Sequence, residues 1–334
     1  WITRLWNHPS VVIWVISNES HDKEWEMGPY HDHVRQLDPT RTTIRAGEET
    51  AECIDRHWCS NITRDHVQDD IETLLRDRMA SGGNRTIGCT EYMNVFNERD
   101  GLVNQWCGTP DISLFPFLFA EICMEHTEAM RRAGLDCILP YMYAGWTRMR
   151  TRELWRNDYP TPMAAALHSS FAPVLASFDL SDRNFAAGAR AATPVVLINE
   201  LDTSVHAAVD ICLTPANPLF IPEETALRAA IMTQRFDRTL APQAREVINV
   251  QWNVPAATGV YYLAAVTRRE GDTPAVSQRT VRSVQPPAAA ALAGRTIAVL
   301  GADEAVTAWC AARGARLCGV ASNDLAQADA VLIW

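Results

Sequence analysis

Val11-Val12-Ile13-Trp14-Val15-Ile16 is a run of six apolar residues that passes without a break into Ser17-Asn18-Glu19 and is introduced by Asn7-His8-Pro9-Ser10. A strand with one solvated face alternates apolar and polar residues, so an unbroken apolar run reads as a strand covered on both faces, the kind found in parallel sheets. In a parallel α/β barrel the carboxyl-terminal ends of the strands carry the chemistry. An ionisable group at that point is therefore a catalytic candidate, and here it is Glu19.

The chain beyond it repeats the pattern. A polar loop containing Trp25 leads into a helix from Pro29 to Leu37, where proline suits a first turn and Asp38-Pro39 stops the helix. Short strands are predicted near Thr42–Gly47 and Cys53–Trp58. Val67, Ile71, Leu74, Leu75 and Met79 then recur at helical spacing until Gly82-Gly83. Arg85 to Tyr92 forms a second strand ending in a carboxylate, Glu91. A helix from about Phe117 to Ala133, closed by Gly134, leads to a strand from Cys137 whose end is aromatic, Tyr141-Met142-Tyr143-Ala144-Gly145-Trp146. Strands separated by helices imply parallel βα units. Five such strands are too few to close an eight-stranded barrel.

Composition excludes several functions. With 334 residues, 47% hydrophobic and 21% charged, the chain is long enough for two or three folded domains. Its net charge is −10 and no Lys/Arg cluster tracks a phosphate backbone, so nucleic-acid binding is not expected. No apolar run approaches the ~20 residues of a membrane span. Nine cysteines show neither Cys-x-x-Cys pairs nor zinc-ligand spacing with histidine, and read as buried small hydrophobes. No metal or other cofactor is called for.

Asn-His-Pro-Ser, an apolar strand and then Asn-Glu resembles the acid/base strand of glycoside hydrolase family 2, which includes β-galactosidases, β-mannosidases and β-glucuronidases. The resemblance implies that Glu19 ends the fourth barrel strand as general acid/base, and that Glu91 ends the seventh as nucleophile. It covers residues 1 to about 285 and implies a retaining β-glycosidase acting on a carbohydrate substrate. Retention needs two carboxyl groups about 5–5.5 Å apart, so that distance separates the enzyme from its rival, a non-catalytic carbohydrate-binding module. By the same resemblance Asn18 hydrogen-bonds the sugar 2-hydroxyl, His57 and Trp146 contact the sugar, and Tyr92 donates to the nucleophile. Met93-Asn94 follows Glu91-Tyr92 where the family often has glycine, which leaves the sugar open. Two further Asn-Glu pairs are set aside: Asn97-Glu98 in a solvated turn, and Asn199-Glu200 at a hairpin end.

From about Ser170 the texture changes. Ile248, Val250, Trp252 and Val254 alternate with polar residues, and Pro194–Leu201, His206–Leu213, Gly259–Thr267 and Ala275–Val284 read as similar short strands. Their spacing predicts an immunoglobulin-like β-sandwich. The expected organisation is residues 1–165 as the second half of a (β/α)8 TIM barrel, strands four to eight, then the sandwich at 168–285. A linker at 286–293 precedes a flavodoxin-like α/β start at 294–334, similar to glutamine amidotransferase-like modules. Gly301-Ala302-Asp303 lacks the Gly-x-Gly-x-x-Gly series of a dinucleotide site. The chain starts at Trp1 and stops at Trp334 inside an apolar run, and so reads as cut at both ends. On that reading it is expected to be inactive alone, and an extracellular or periplasmic location stays open.

Overall fold

The computed structural model describes residues 1–20, 24–50, 52–58, 64–93, 103, 110–141, 162–180, 182–217, 221–286, 290–301, 304–321 and 325–333. They fall in two compact units: the first is Trp1–Asn184, Arg190–Asn253 and Val260–Arg282, and the second is Phe185–Ala189, Val254–Gly259 and Ser283–Trp334.

The first unit begins with α1 (Ile2–Leu5), β1 (Ile13–Asn18), α2 (Glu24–Leu37), β2 (Thr42–Ala46), β3 (Cys53–Trp58), α3 (Arg64–Ala80), β4 (Thr86–Tyr92), α4 (Phe115–Ala133), β5 (Cys137–Pro140) and α5 (Pro162–Ser170). All five expected strands form. β1 pairs parallel with β2, and β3, β4 and β5 form a parallel sheet in that order. Between the two sheets the Asp55 N–H donates to the Glu48 carbonyl (3.0 Å) and the Thr43 N–H to a Glu52 carboxylate oxygen (3.1 Å). The strands thus follow one another in chain order, with their carboxyl ends on one rim, as in a βα barrel.

Three details differ from the sequence reading. α2 starts at Glu24, which puts Trp25 in the helix and Pro29 in its interior. β1 is not covered on both faces: Trp14 is buried, but Val12 and Val15 are 70% and 58% exposed. The buried face is fixed by α2, because the Trp14 indole N–H donates to Asp38 at the end of that helix (2.9 Å). Among the described residues only β2 pairs with β1, so its other side is a sheet edge.

The core beneath β3 and β4 is supplied by α3 and α4. Ile54, Ile87 and Cys89 point down onto Ile71, Phe119 and Met130, all 2% exposed or less. Each large apolar side chain buried there contributes about 1.5–3 kcal/mol.

After α5 come β6 (Val174–Phe178), β7 (Asn184–Ala186), β8 (Arg190–Asn199), β9 (Val205–Thr214), α6 (Glu223–Arg228), β10 (Met232–Leu240), β11 (Arg245–Asn253), β12 (Gly259–Arg268) and β13 (Ala275–Val284), all in the first unit except Phe185, Ala186, Gly259, Ser283 and Val284. They form two sheets, β11-β8-β6 and β10-β9-β12-β13-β7. The pairs β10/β9, β12/β9, β11/β8 and β6/β8 are antiparallel. β6, β7 and β10 were not anticipated. Asn199-Glu200 does not end a hairpin, since β8 and β9 lie in different sheets. The Asn199 amide instead donates to the Thr203 and Ala241 carbonyls (3.0 and 2.7 Å) and holds the crossover.

The expected division near residue 165 does not separate compact units, because α4 is bolted to the antiparallel sheets. One Glu128 carboxylate oxygen accepts from Arg279 (2.8 Å), Ser177 (2.7 Å) and Ser277 (2.8 Å), and the pair is buried. Arg131 and Arg245 both reach Glu200 (2.9 and 3.4 Å).

In the second unit β14 (Thr296–Leu300), α7 (Glu304–Ala312), β15 (Arg316–Cys318) and β16 (Ala330–Ile333) make a parallel sheet ordered β15-β14-β16. Residues 290–293, expected as linker, form a turn bonded to this unit: the Leu292 N–H donates to the Arg313 carbonyl (3.1 Å).

Candidate active site

β1 and β4 each deliver one carboxylate to the same rim. Glu19 follows directly on β1 with a left-handed backbone, φ 49°, and its N–H donates to the Ala46 carbonyl at the end of β2 (2.9 Å). That conformation costs a non-glycine residue about 1–2 kcal/mol and persists only where the surroundings hold it. The hold is visible. The Ser20 hydroxyl and N–H both donate to Glu48, the hydroxyl at 2.8 Å, and Glu48 is itself buried against Arg45 (3.2 Å).

β4 presents its carboxylate through a bulge. Cys89 stands opposite Arg56 and Glu91 opposite His57, which leaves Thr90 unmatched. A bulge breaks the alternation of facing along a strand and re-aims side chains. Thr90 and Glu91 consequently both meet the His57 ring, with Thr90 Oγ1 3.2 Å from Nε2 and Glu91 Oε2 3.6 Å from Nδ1. Met93, just beyond, is left-handed as well (φ 64°). Two of the three non-glycine residues with positive φ among those described therefore flank this rim.

His57, on β3, joins the two. Its Nδ1 lies 2.7 Å from Glu19 Oε1, and one oxygen or nitrogen from each of Glu19, His57 and Glu91 lies within 4.8 Å of the other two. The Glu19 side chain is 50% exposed, Glu91 15% and His57 7%, so the site opens to solvent on the Glu19 side and closes on the histidine. The same three groups lie close enough together to hold a metal ion.

A supporting layer lies under the ring. Asp55, fully buried, accepts from the Gly47 N–H (2.7 Å), the Thr90 N–H (3.0 Å) and the Thr90 hydroxyl. Gly47 is left-handed (φ +79°), and a Cβ there would stand 3.0 Å from His57 Nδ1. The nearby thiols are inert: burial pushes Cys53 up to about 12 and raises Cys137 as well, so neither offers a thiolate nucleophile.

Of the residues singled out from the sequence, Glu19, Glu91 and His57 converge, and Asn18 stands exposed beside Glu19 at the end of β1. Tyr92 does not join them. It is fully buried, its hydroxyl is 2.6 Å from Thr127 Oγ1 on α4, and burial pushes its phenol well up. The residue after Glu91 points to the opposite face of the strand, so its phenol turns into the core instead of toward the Glu91 carboxylate. Trp146 and Asn97-Glu98 lie outside the described residues. Gly47, Thr90 and Asp55 were missed, although Asp55 and His57 share the i, i+2 spacing of one strand face and Thr90 precedes Glu91 directly.

Residues 1–107 match the family described as "Glycosyl hydrolases family 2, TIM barrel domain". No curated protein matches the sequence. Among solved structures, a β-D-mannosidase from Dictyoglomus thermophilum is similar over 84% of this chain, with TM-score 0.50 and 14% identity. The chain spans 39% of that mannosidase. A CARDB domain from Pyrococcus furiosus, solved with di-metal ions, matches 35% of the chain over 98% of its own length, at 14% identity and TM-score 0.26.

Proposed function

We propose that the protein is a retaining β-glycosidase with Glu91 as nucleophile and Glu19 as acid/base, a reading supported by the match of residues 1–107 to the TIM barrel domain of glycoside hydrolase family 2. The observation that carries this reading is the approach of the two carboxyl groups to within 4.8 Å at the ends of β1 and β4. With one oxygen of each that close, the pair stands nearer the ~5–5.5 Å of retaining enzymes than the ~6.5–9.5 Å of inverting ones.

In the first step a Glu91 oxygen attacks the anomeric carbon while Glu19 gives its proton to the glycosidic oxygen. The carbon–oxygen bond breaks, its electron pair stays with the departing oxygen, and a glycosyl ester forms on Glu91. Water then attacks the same carbon, Glu19 takes the water's proton, and Glu91 is released as carboxylate. Asn18, beside the acid, is placed in this reading to hydrogen-bond the 2-hydroxyl, and Trp146 to stack on the ring. The two antiparallel sheets are read as an immunoglobulin-like sandwich serving as spacer, and the last parallel sheet as the opening of a flavodoxin-like domain.

A panel of aryl β-galactosides, β-mannosides and β-glucuronides, assayed with the product of the complete gene, tests the assignment. Release of phenol from at least one, at a rate well above the uncatalysed one, is the expected result. Saturable sugar binding with no release from any member would favour the carbohydrate-binding alternative.

A further inference from the structure

The two glutamates stand on different sheets, Glu19 at the end of the β1/β2 pair and Glu91 on the sheet of β3, β4 and β5. Their separation is therefore set by what ties the two sheets together at the rim. Asp55, on β3, does so with its carboxyl group. One oxygen accepts from the Gly47 N–H (2.7 Å), just past the end of β2, and from the Thr90 hydroxyl; the other accepts from the Thr90 N–H (3.0 Å) on β4. Each donor residue adjoins the anchorage of one glutamate. Ala46, directly before Gly47, holds the Glu19 N–H through its carbonyl (2.9 Å), and Glu91 directly follows Thr90. Gly88, opposite Asp55 in the ladder, lets β4 lie close: a Cβ there would stand 3.2 Å from Asp55 Oδ1. The bonds from the Asp55 N–H to Glu48 and from the Thr43 N–H to Glu52 also join the sheets, but neither reaches β4.

We propose that Asp55 is a positioning residue that clips the sheet of Glu19 to the sheet of Glu91 and so sets the separation of the two carboxyl groups. Being fully buried, its side chain exchanges hydration for these three bonds, and the strand ends must come to it. A backbone N–H can only donate, so the clip needs an acceptor on each side, which a carboxylate has and an amide lacks. Asp55→Asn keeps the volume and the backbone bonds of β3, yet must turn its NH2 toward either the Gly47 or the Thr90 N–H. One strand end is then released. The separation matters because attack by one carboxylate on the sugar needs the pair ~5–5.5 Å apart, and a misplacement of about 1 Å can cost about a hundredfold in rate. The clip rests on the hydrogen-bond geometry, and its catalytic consequence rests on the glycosidase reading above.

The test compares crystal structures of the parent and Asp55→Asn, each the product of the complete gene. The shortest distance between the Glu19 and Glu91 carboxyl oxygens should grow by about 1 Å or more in the variant, with β3 and β4 still paired. An unchanged separation would overturn the proposal, whether or not the protein hydrolyses any glycoside. In turnover, kcat/KM should fall by about a hundredfold on alkyl and dinitrophenyl glycosides alike, because both wait on attack by Glu91, while the inhibition constant of a non-hydrolysed thioglycoside stays within about threefold. Thioglycoside binding lost in step with turnover would overturn the positioning role and leave Asp55 a structural part. If Asp55→Asn does not fold, Thr90 carries the test: Thr90→Val removes one of the three bonds and should widen the separation and lower kcat/KM about tenfold, and Thr90→Ser should keep the parent values. A Thr90→Val protein with the parent separation would then overturn the clip. Absence of turnover in the parent, with the separation widened in the variant, would sink the glycosidase reading and leave the clip standing.

Discussion

At the scale of single residues, the proposed division of labour between Glu19 and Glu91 makes distinct expectations for their variants. Glu91→Gln keeps the volume but removes the nucleophile, and turnover should fall by about 10³-fold or more on every substrate. Glu19→Ala should instead spare substrates with activated leaving groups, which depart without a proton. Rates on one alkyl and one dinitrophenyl glycoside distinguish the two variants, and equal losses would count against the roles. Gly47→Ala meets two penalties, a left-handed backbone and a Cβ pressed on the imidazole; about 1–2 kcal/mol of stability should be lost, with reduced turnover, by thermal melting and assay. The two glutamates were legible in the sequence because an apolar strand that stops at a charged residue is a local pattern. Thr90 was not. Its place depends on a bulge between β3 and β4, a matter of pairing between strands 33 residues apart in the chain. Tyr92 was misjudged for the same reason, since adjacency in sequence places successive strand residues on opposite faces.

At the scale of elements, α4 links β4 to the antiparallel sheets. On one face Thr127 meets Tyr92, and one residue on Glu128 meets Arg279. The apolar half of this helix was readable as a 3.6-residue pattern, and its limits came within two residues of Phe115–Ala133. Its charged half gave no signal, because a carboxylate on a helix normally reads as solvated. Here both Glu128 and Arg279 are withdrawn from water and hold each other. Breaking such a pair leaves an uncompensated buried charge, so Arg279→Met should destabilise by about 3–5 kcal/mol, whereas Tyr92→Phe should cost about 1 kcal/mol. Urea unfolding measures both. If Tyr92→Phe instead reduced turnover far more than stability, the placement of its phenol in the core would be wrong.

At the scale of the whole molecule, stability should depend on pH through a histidine remote from the chemistry. His126 on α4 is buried, and burial holds its imidazole down at about 4, with Glu125 opposing only in part. An unfolded histidine titrates near 6.5. Above that pH both states are neutral and the full stability is present. As pH falls toward 4 the unfolded chain gains a proton that the folded one refuses, and about 2 kcal/mol should be lost by pH 5. Denaturation midpoints at pH 7 and 5 should therefore differ less in His126→Leu than in the parent. The coarse order, parallel βα units and then antiparallel strands, was visible in the periodicity; the joining of both into one compact unit was not, since it depends on the buried charges of α4.

The central claim, that Glu19 and Glu91 act as an acid and a nucleophile on one sugar, is tested most directly by trapping the intermediate. A 2-deoxy-2-fluoro β-glycoside with an activated leaving group, in the sugar series that the panel identifies, slows release of the glycosyl ester, and peptide mass spectrometry then locates the label. The account expects one sugar bound covalently to Glu91. A label on Glu19, or elsewhere in the chain, or none on a protein that turns over the parent glycoside, would contradict it.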